Sequence, residues 1–312
     1  MPSNDPFLSL ISELSLGDFA IYADNSPQSS FVTANGIQHH VLQWGDPKGQ
    51  PLLMLHGIGL CAQVWNWTAR RLAKDYCVLS IDLRGHGDSE KPGCGYTFHD
   101  IGIDLAELVS ALGLVRPLVV GHSAGGSAAI IANSLVPGAL GPTVVIDSRV
   151  GGSRALSSSP DMRDRPARTR RKHSVWASRQ KMYEAYRNRR VFKAWKEEIF
   201  RDYIEGGTRL LPNGQAELKC PLEVEATFYE QRAILNTSPY VTGMTGQFLL
   251  LLGNYPGAQT WKDPGIQEFL KGVQGTQVRI APEGSHFLPM EHPEFVLAEI
   301  QQFFRRFRDS AR

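Results

Sequence analysis

A mostly parallel α/β sheet of about eight strands, covered on both faces by helices, is predicted by three features of this 312-residue sequence. Short β-rich runs alternate with helix-length segments from residue 30 onward. Several of those runs (PLLML, PLVVG, TVVID, FLLLL) are apolar throughout, as strands buried on both faces must be. The alternation is broken only once, between about 150 and 240, which reads as an insertion into one sheet domain.

Taken in order, strands are expected near 30–34, 37–44, 51–55, 76–81, 117–122, 142–147, 247–252 and 276–281, and helices near 61–74, 99–113, 124–136, 264–272 and 291–308. The last helix opens on His292-Pro293-Glu294, with proline in its first turn, and sets Phe295, Ile300, Phe303, Phe304 and Phe307 so that several share one face for docking on the sheet. The divisions that follow are an N-terminal extension (1–29), a core (30–150 and 240–312) and a helical cap insertion (151–239). In the insertion, GGSRALSSSPDMRDRP is loop-like, and 170–205 interleaves aromatic with basic residues at helical spacing. Pro212-Asn213-Gly214 signals a turn, and 216–236 reads as a further helix.

Composition bounds the function. With 42% hydrophobic and 21% charged residues, a chain of this length buries a large core and is not disordered. The four cysteines, Cys61, Cys77, Cys94 and Cys220, lack CxxC pairs or histidines at zinc spacing, so they read as reduced thiols of a cytoplasmic protein. The N-terminus carries Asp5 and Glu13 among its apolar residues and shows no secretory signal, and no apolar run approaches the ~20 residues that span a bilayer. The net charge of +2 hides an asymmetry: residues 149–209 hold 17 basic against 7 acidic side chains, leaving −8 elsewhere. The basic stretch reads either as a solvated helix face or as attraction for an anionic substrate. No nucleic-acid module accompanies it.

The sharpest motif is Gly121-His122-Ser123-Ala124-Gly125, a G-x-S-x-G that follows an apolar strand and opens a helix. A turn this tight needs small flanking residues and holds its serine in strained backbone geometry, and the helix N-terminus behind it favours developing negative charge. Upstream, the strand PLLML ends in His56-Gly57-Ile58-Gly59, and the next ends in Asp82-Leu83-Arg84-Gly85-His86-Gly87-Asp88-Ser89. Near the C-terminus another ends in Pro282-Glu283-Gly284-Ser285-His286-Phe287. On these motifs, in this order over roughly 30–150 and 240–310, the sequence resembles the α/β-hydrolase fold family, in its serine hydrolase or esterase-like branch.

The resemblance implies Ser123 as nucleophile and His286 as its base. A serine hydroxyl is barely ionised near neutral pH, so attack on a carbonyl requires an imidazole to take its proton. It also implies an oxyanion hole from the backbone N–H groups of Ile58 and Ala124. The acid is less direct. The loop after the strand that follows the insertion, 253–259, holds no carboxylate, whereas Asp147 ends the preceding strand and Asp263 lies further on; Asp147 is favoured, with Asp263 and a dyad as alternatives. His56 reads as a buttress of its loop, and Asp82, Arg84 and Ser89 as bracing between loops. Trp65 and Phe287, with Trp67, Met290 and the aromatic residues of the insertion, are candidates to line a mainly apolar pocket or to pack the cap. His122, in the motif's variable position, reads as packing and as a candidate substrate contact.

Members of this fold that open epoxides or haloalkanes carry Asp at the elbow, so Ser123 points to acyl chemistry without metal or organic cofactor. The expectation is a serine hydrolase of a small or medium, largely apolar ester-like substrate, monomeric or homodimeric. A slow-turnover small-molecule receptor, a C–C bond hydrolase and an acyltransferase are the alternatives.

Overall fold

The computed structural model describes residues 26–152 and 160–308. The expected N-terminal extension up to residue 25 and part of the loop-like stretch after 152 lie outside them. Eight strands form one sheet: β1 (Gln28–Ala34), β2 (Ile37–Trp44), β3 (Gln50–Leu55), β4 (Tyr76–Ile81), β5 (Leu118–His122), β6 (Thr143–Ile146), then β10 (Phe248–Leu252) and β11 (Gln277–Ile280) after the insertion. The order across the sheet is β1-β2-β4-β3-β5-β6-β10-β11. The β1–β2 and β2–β4 pairs are antiparallel, and every pair from β4–β3 to β10–β11 is parallel.

Alternate residues of each central strand feed opposite cores. Leu52 and Met54 of β3, Leu118 and Val120 of β5, and Leu249 and Leu251 of β10 pack on one face beneath α1 (Asn66–Leu72) and the C-terminal helix α11 (Pro293–Arg308). Leu53, Leu55 and Val119 face α2 (Phe98–Ala111) and α3 (Ala124–Leu135) on the other side. Leu250 and Phe248 meet Ile266 and Phe269 of α9 (Pro264–Gly272). Helix α2 is started by a capping box, in which Thr97 accepts from the Asp100 N–H while the Asp100 carboxylate accepts from the Thr97 N–H.

The helices differ from the sequence reading only at their ends. Residues 61–74 divide into a 3₁₀ turn (Ala62–Trp65) and α1. The last helix is preceded by the short α10 (Leu288–Glu291), because Pro293 cannot donate to the turn before it and so begins a new helix.

The inserted segment departs further from a purely helical expectation. It holds α4 (Pro160–Arg170), α5 (Arg179–Arg187), α6 (Glu197–Gly206), α7 (Leu222–Ile234) and the short α8 (Ser238–Val241), and also a three-stranded antiparallel sheet. That sheet has the order β7 (Val175–Trp176), β9 (Ala216–Leu218), β8 (Thr208–Leu210). Pro212-Asn213-Gly214 turns β8 into β9, with Leu210 opposite Ala216, so residues expected to begin a helix instead form a hairpin. The helix waits until after Pro221. Trp195, Ile199 and Phe200 of this segment are buried in the same core as the sheet, so these side chains pack rather than line a pocket. Among the described residues no helix is long and apolar enough to cross a membrane.

Helix α3 lies so close to the sheet that glycine is required at the contact. A Cβ on Gly121 would sit 2.5 Å from the Gly125 carbonyl, and one on Gly125 would sit 2.5 Å from the Leu55 carbonyl oxygen. Both obstacles are backbone and cannot swing away. Gly125→Ala is therefore expected to destabilise the fold by about 1–3 kcal/mol, the usual cost of overpacking. Thermal denaturation measures it, and an unchanged melting temperature would contradict so close a contact.

Candidate active site

The parallel strands deliver their C-terminal ends to one edge of the sheet, where ligands bind in open α/β folds. Ser123 stands at the top of β5, at φ 54° and ψ −114°, a conformation non-glycine residues rarely adopt. The turn is held by its own carbonyl. Ser123 O accepts from the Gly126 and Ser127 N–H groups at 3.1 Å and from the Ser148 hydroxyl at 2.6 Å, while the Ser123 N–H donates to Ile146 O. The hydroxyl is thereby presented at the mouth of the sheet.

From Ser123 a chain of hydrogen bonds crosses three loops. The Ser123 hydroxyl lies 3.0 Å from His286 Nε2, and His286 Nδ1 lies 2.6 Å from Asp147 Oδ2. The carboxylate can only accept, so the imidazole carries its proton on Nδ1 and leaves Nε2 open to the serine. Asp147 occupies the end of β6 at φ 42°. Its other bonds come from the β10 loop: the Gly253 N–H donates to Oδ1 at 2.9 Å, and the Tyr255 hydroxyl donates to Oδ2 at 2.7 Å. Asp263 is elsewhere, capping α9 by accepting from the Gly265 N–H at 3.0 Å.

Charge follows from this placement. Burial works to raise the Asp147 carboxyl, but the bonds from His286, Tyr255 and Gly253 outweigh it and hold the group below its ordinary range, hence ionised. Burial lowers His286, the Asp147 carboxylate opposes that, and the net shift is downward from 6.5. Burial and the neighbouring carboxylate push Tyr255 upward, so its hydroxyl keeps its proton and remains a donor.

The loop after β3 faces the nucleophile from the other side. A Cβ on Gly57 would lie 3.1 Å from Ser123 Cβ, and Gly59 has φ 73°, so both glycines let Ile58 and its neighbours come close. Ile58 follows Gly57 in this loop, and Ala124 follows Ser123 at the start of α3. His56 braces this loop: its Nδ1–H donates to Gly57 O at 2.7 Å, and Nε2 accepts from the Leu83 N–H at 3.1 Å. His86 adds a second brace, accepting from the Gly59 N–H at 3.0 Å. Asp82 ties the assembly to the sheet by accepting from His40 Nδ1 and from the Ala62 and Asp88 N–H groups, and Arg84 pairs with the buried Asp104.

A cavity of about 690 Å³ opens beside His286 under the inserted segment. Its wall combines Phe287, Phe192, Tyr186 and Tyr229 with Arg165, Arg168, Lys172, Arg189 and Arg190, so a mainly apolar lining also carries several basic side chains. Phe287 lines it as expected from the sequence, but Trp65 does not. Trp65 is fully buried in the 3₁₀ turn, packed into the core with α1 and α11, and Met290 and Trp67 are buried there too. The expectation for His122 as a substrate contact is corrected as well. It is inaccessible, its Nε2–H donates to His286 O at 2.7 Å, and burial followed by the nearby His286 drives its pKa to about 3, so it is a neutral brace behind the histidine loop. The sequence reading missed Tyr255 and Glu291, whose carboxylate accepts from both the Ser285 N–H and hydroxyl at 2.6 Å and fixes the residue before His286.

The sequence profile of the α/β-hydrolase family matches residues 52–299. The chain belongs to the α/β-hydrolase family. Over 95 residues it is 41% identical to a soluble epoxide hydrolase of a Corynebacterium species, covering 30% of this chain and 32% of that protein. Over 122 residues it is 34% identical to N-formylmaleamate deformylase of Pseudomonas putida, covering 39% of this chain and 45% of that protein. The matches thus span from about a third to under half of these relatives' lengths. The crystal structure of E-2-(acetamidomethylene)succinate hydrolase superposes with a TM-score of 0.78 at 21% identity, covering 89% of this chain and 99% of that one. A peroxisomal α/β-hydrolase of Saccharomyces cerevisiae gives 0.73 at 18% identity, covering 92% and 90%. At these identities the structural likeness shows the fold alone.

In this α/β-hydrolase, His286 is expected to titrate with a midpoint below 6.5. Asp147→Asn removes the charge that supports its protonated form and should lower the midpoint further. Proton–carbon NMR of the histidine rings reads both; a midpoint above 6.5, or a rise in the variant, would contradict the electrostatics described.

Proposed function

We propose that the protein is a serine hydrolase of carboxylic acid derivatives that works through an acyl-enzyme on Ser123. The observation that carries this reading is the continuous chain Ser123 Oγ, His286, Asp147, at 3.0 and 2.6 Å.

In the proposed mechanism His286 Nε2 takes the hydroxyl proton as Ser123 Oγ bonds to the carbonyl carbon. The carbonyl oxygen becomes an oxyanion that accepts from the Ile58 and Ala124 N–H groups, aided by the N-terminus of α3. His286 then returns the proton to the leaving alcohol or amine as the bond to it breaks, leaving the acyl group on Ser123. Water, deprotonated by the same imidazole, attacks the acyl-enzyme; the carboxylic acid departs and Ser123 regains its proton. Asp147 stays ionised throughout, holding the imidazole tautomer and stabilising the imidazolium.

Esters are the first substrate class on chemical grounds. Activated amides are the second, a reading favoured by relatives named for an N-formylmaleamate deformylase and an acetamidomethylene-succinate hydrolase. The relative named as an epoxide hydrolase carries less weight, because epoxide opening in this fold is expected to use an elbow carboxylate and residue 123 is serine.

Three outcomes are expected. A fluorophosphonate should add once to the wild type and not to Ser123→Ala, as read by intact mass; absence of the adduct in folded wild type, or its persistence in the variant, would overturn the reading. Asp147→Asn should lower kcat by about 10³–10⁴-fold while Asp263→Asn changes it little. Because the base must be neutral, kcat/KM should rise as pH increases through the His286 midpoint, placing the acid limb below 6.5.

A further inference from the structure

The cavity beside His286 carries in its wall an ion pair that the hydrolytic steps above do not use. Lys172, in the chain between α4 and β7, donates through Nζ to Glu225 Oε2 of α7 at 2.5 Å. Both side chains line the cavity; Lys172 is half-buried, and the Glu225 side chain is 8% exposed. Burial works against a charged Lys172, but the Glu225 carboxylate outweighs it, and the ammonium holds its proton more firmly than an ordinary lysine. Nearby lysines are committed elsewhere. Lys219 pairs with Asp88, and Lys91 donates to the Gly87 and Ser89 carbonyls, so Lys172 is the cation that meets Glu225.

The pair touches the body of the protein at one glycine. A Cβ on Gly59 would sit 3.0 Å from both Cδ and Oε1 of Glu225, so the carboxylate lies against the Gly59 backbone itself. At the other end of Gly57-Ile58-Gly59, a Cβ on Gly57 would sit 3.1 Å from Ser123 Cβ. The Leu60 N–H donates to Gly57 O, and the Gly59 N–H donates to His86, so the three residues form one fixed turn. Two steps of chain span at most ~7 Å, so the carboxylate and the nucleophile flank one short segment. In this poorly solvated setting a bare anion on one side of the turn would oppose an oxyanion forming on the other.

We propose that Lys172 is a positioning residue for the hydrolytic reaction: its ammonium neutralises Glu225 where that carboxylate packs on the loop after β3, so the inserted segment contacts Gly59 without opposing the charge that develops on the substrate. This rests on the reading of Ser123 as nucleophile and adds to it the charge balance of the loop that faces the serine. Lys172 acts through Glu225 and takes no part in bond making or breaking.

The test measures the second-order rate of fluorophosphonate labelling, together with kcat and KM for the neutral ester p-nitrophenyl acetate. Lys172→Met leaves the carboxylate bare and should slow labelling and kcat by about tenfold or more, with KM changing less. Glu225→Gln leaves the ammonium unopposed and should label faster than the wild type. Combining the two substitutions should recover most of the loss, and Lys172→Arg, which keeps the charge, should keep most of the rate. A pair that merely packs predicts a different pattern, in which each single variant slows in step with its fall in melting temperature. Glu225→Gln preserves the shape of its side chain, so the sign of its effect decides the matter even if Lys172→Met does not fold. Labelling of Glu225→Gln no faster than the wild type, or of folded Lys172→Met at the wild-type rate, would overturn the role of Lys172 and leave the serine hydrolase standing. Absence of labelling in the folded wild type would overturn both.

Discussion

The structure around the site depends on how closely α3 can approach the sheet. Gly121 and Gly125 remove the side chains that would keep the helix away from β3 and β5, and Gly126 leaves room for the Ser148 hydroxyl, where a Cβ would sit 2.0 Å from Ser148 Oγ. With that room, the chain turns from β5 into α3 within one residue, and Ser123 takes the strained conformation of that turn. The strain persists because Ser123 O is bonded by three donors and its N–H by Ile146 O. The same closeness sets the Gly57 backbone against Ser123, so the elbow and the loop after β3 are positioned by one packing constraint.

Electrostatics then organises what packing brings together. Asp147 would be costly to bury as an anion, and three donors from two loops compensate it. One of those donors is Tyr255, on the loop where the acid itself was sought in the sequence. The β10 loop thus contributes to orienting His286 through a hydroxyl rather than a carboxylate, and the Asn254–Gly284 bridge fastens it to the histidine loop. His122 and Glu291 hold the same loop by hydrogen bonds to the His286 carbonyl and the Ser285 N–H, so the imidazole's own segment is fixed at two points.

Much of this was legible in the sequence because it obeys short-range rules. Continuous apolar runs marked the central strands β3, β5, β6 and β10, which are buried on both faces, whereas the edge strands β1 and β11 are largely exposed or half-buried. The G-x-S-x-G, H-G-x-G and late Gly-Ser-His motifs, through their resemblance to the α/β-hydrolase family, pointed to Ser123 and His286, which the fold places together. What escaped depends on distance in the chain or on weak propensity. The strands β7, β8 and β9 are two or three residues long, and Ala216-Glu217-Leu218 has little intrinsic preference for a strand. Trp65 lies close in sequence to the loop after β3 but faces the core, because a 3₁₀ turn precedes α1. Tyr255 and Arg232 meet Asp147 and Arg149 across long stretches of chain, and no local pattern announces such pairs.

The carboxylate ending β6 accepts from the imidazole that faces Ser123. A proton shared over the 2.6 Å between His286 Nδ1 and Asp147 should give a resonance far downfield of the amide envelope. The most direct measurement is that proton spectrum in the wild type and in two variants. The resonance is expected in the wild type and in Asp263→Asn, and is expected to be lost in a folded Asp147→Asn. A resonance that survives Asp147→Asn, or disappears in Asp263→Asn, would contradict it.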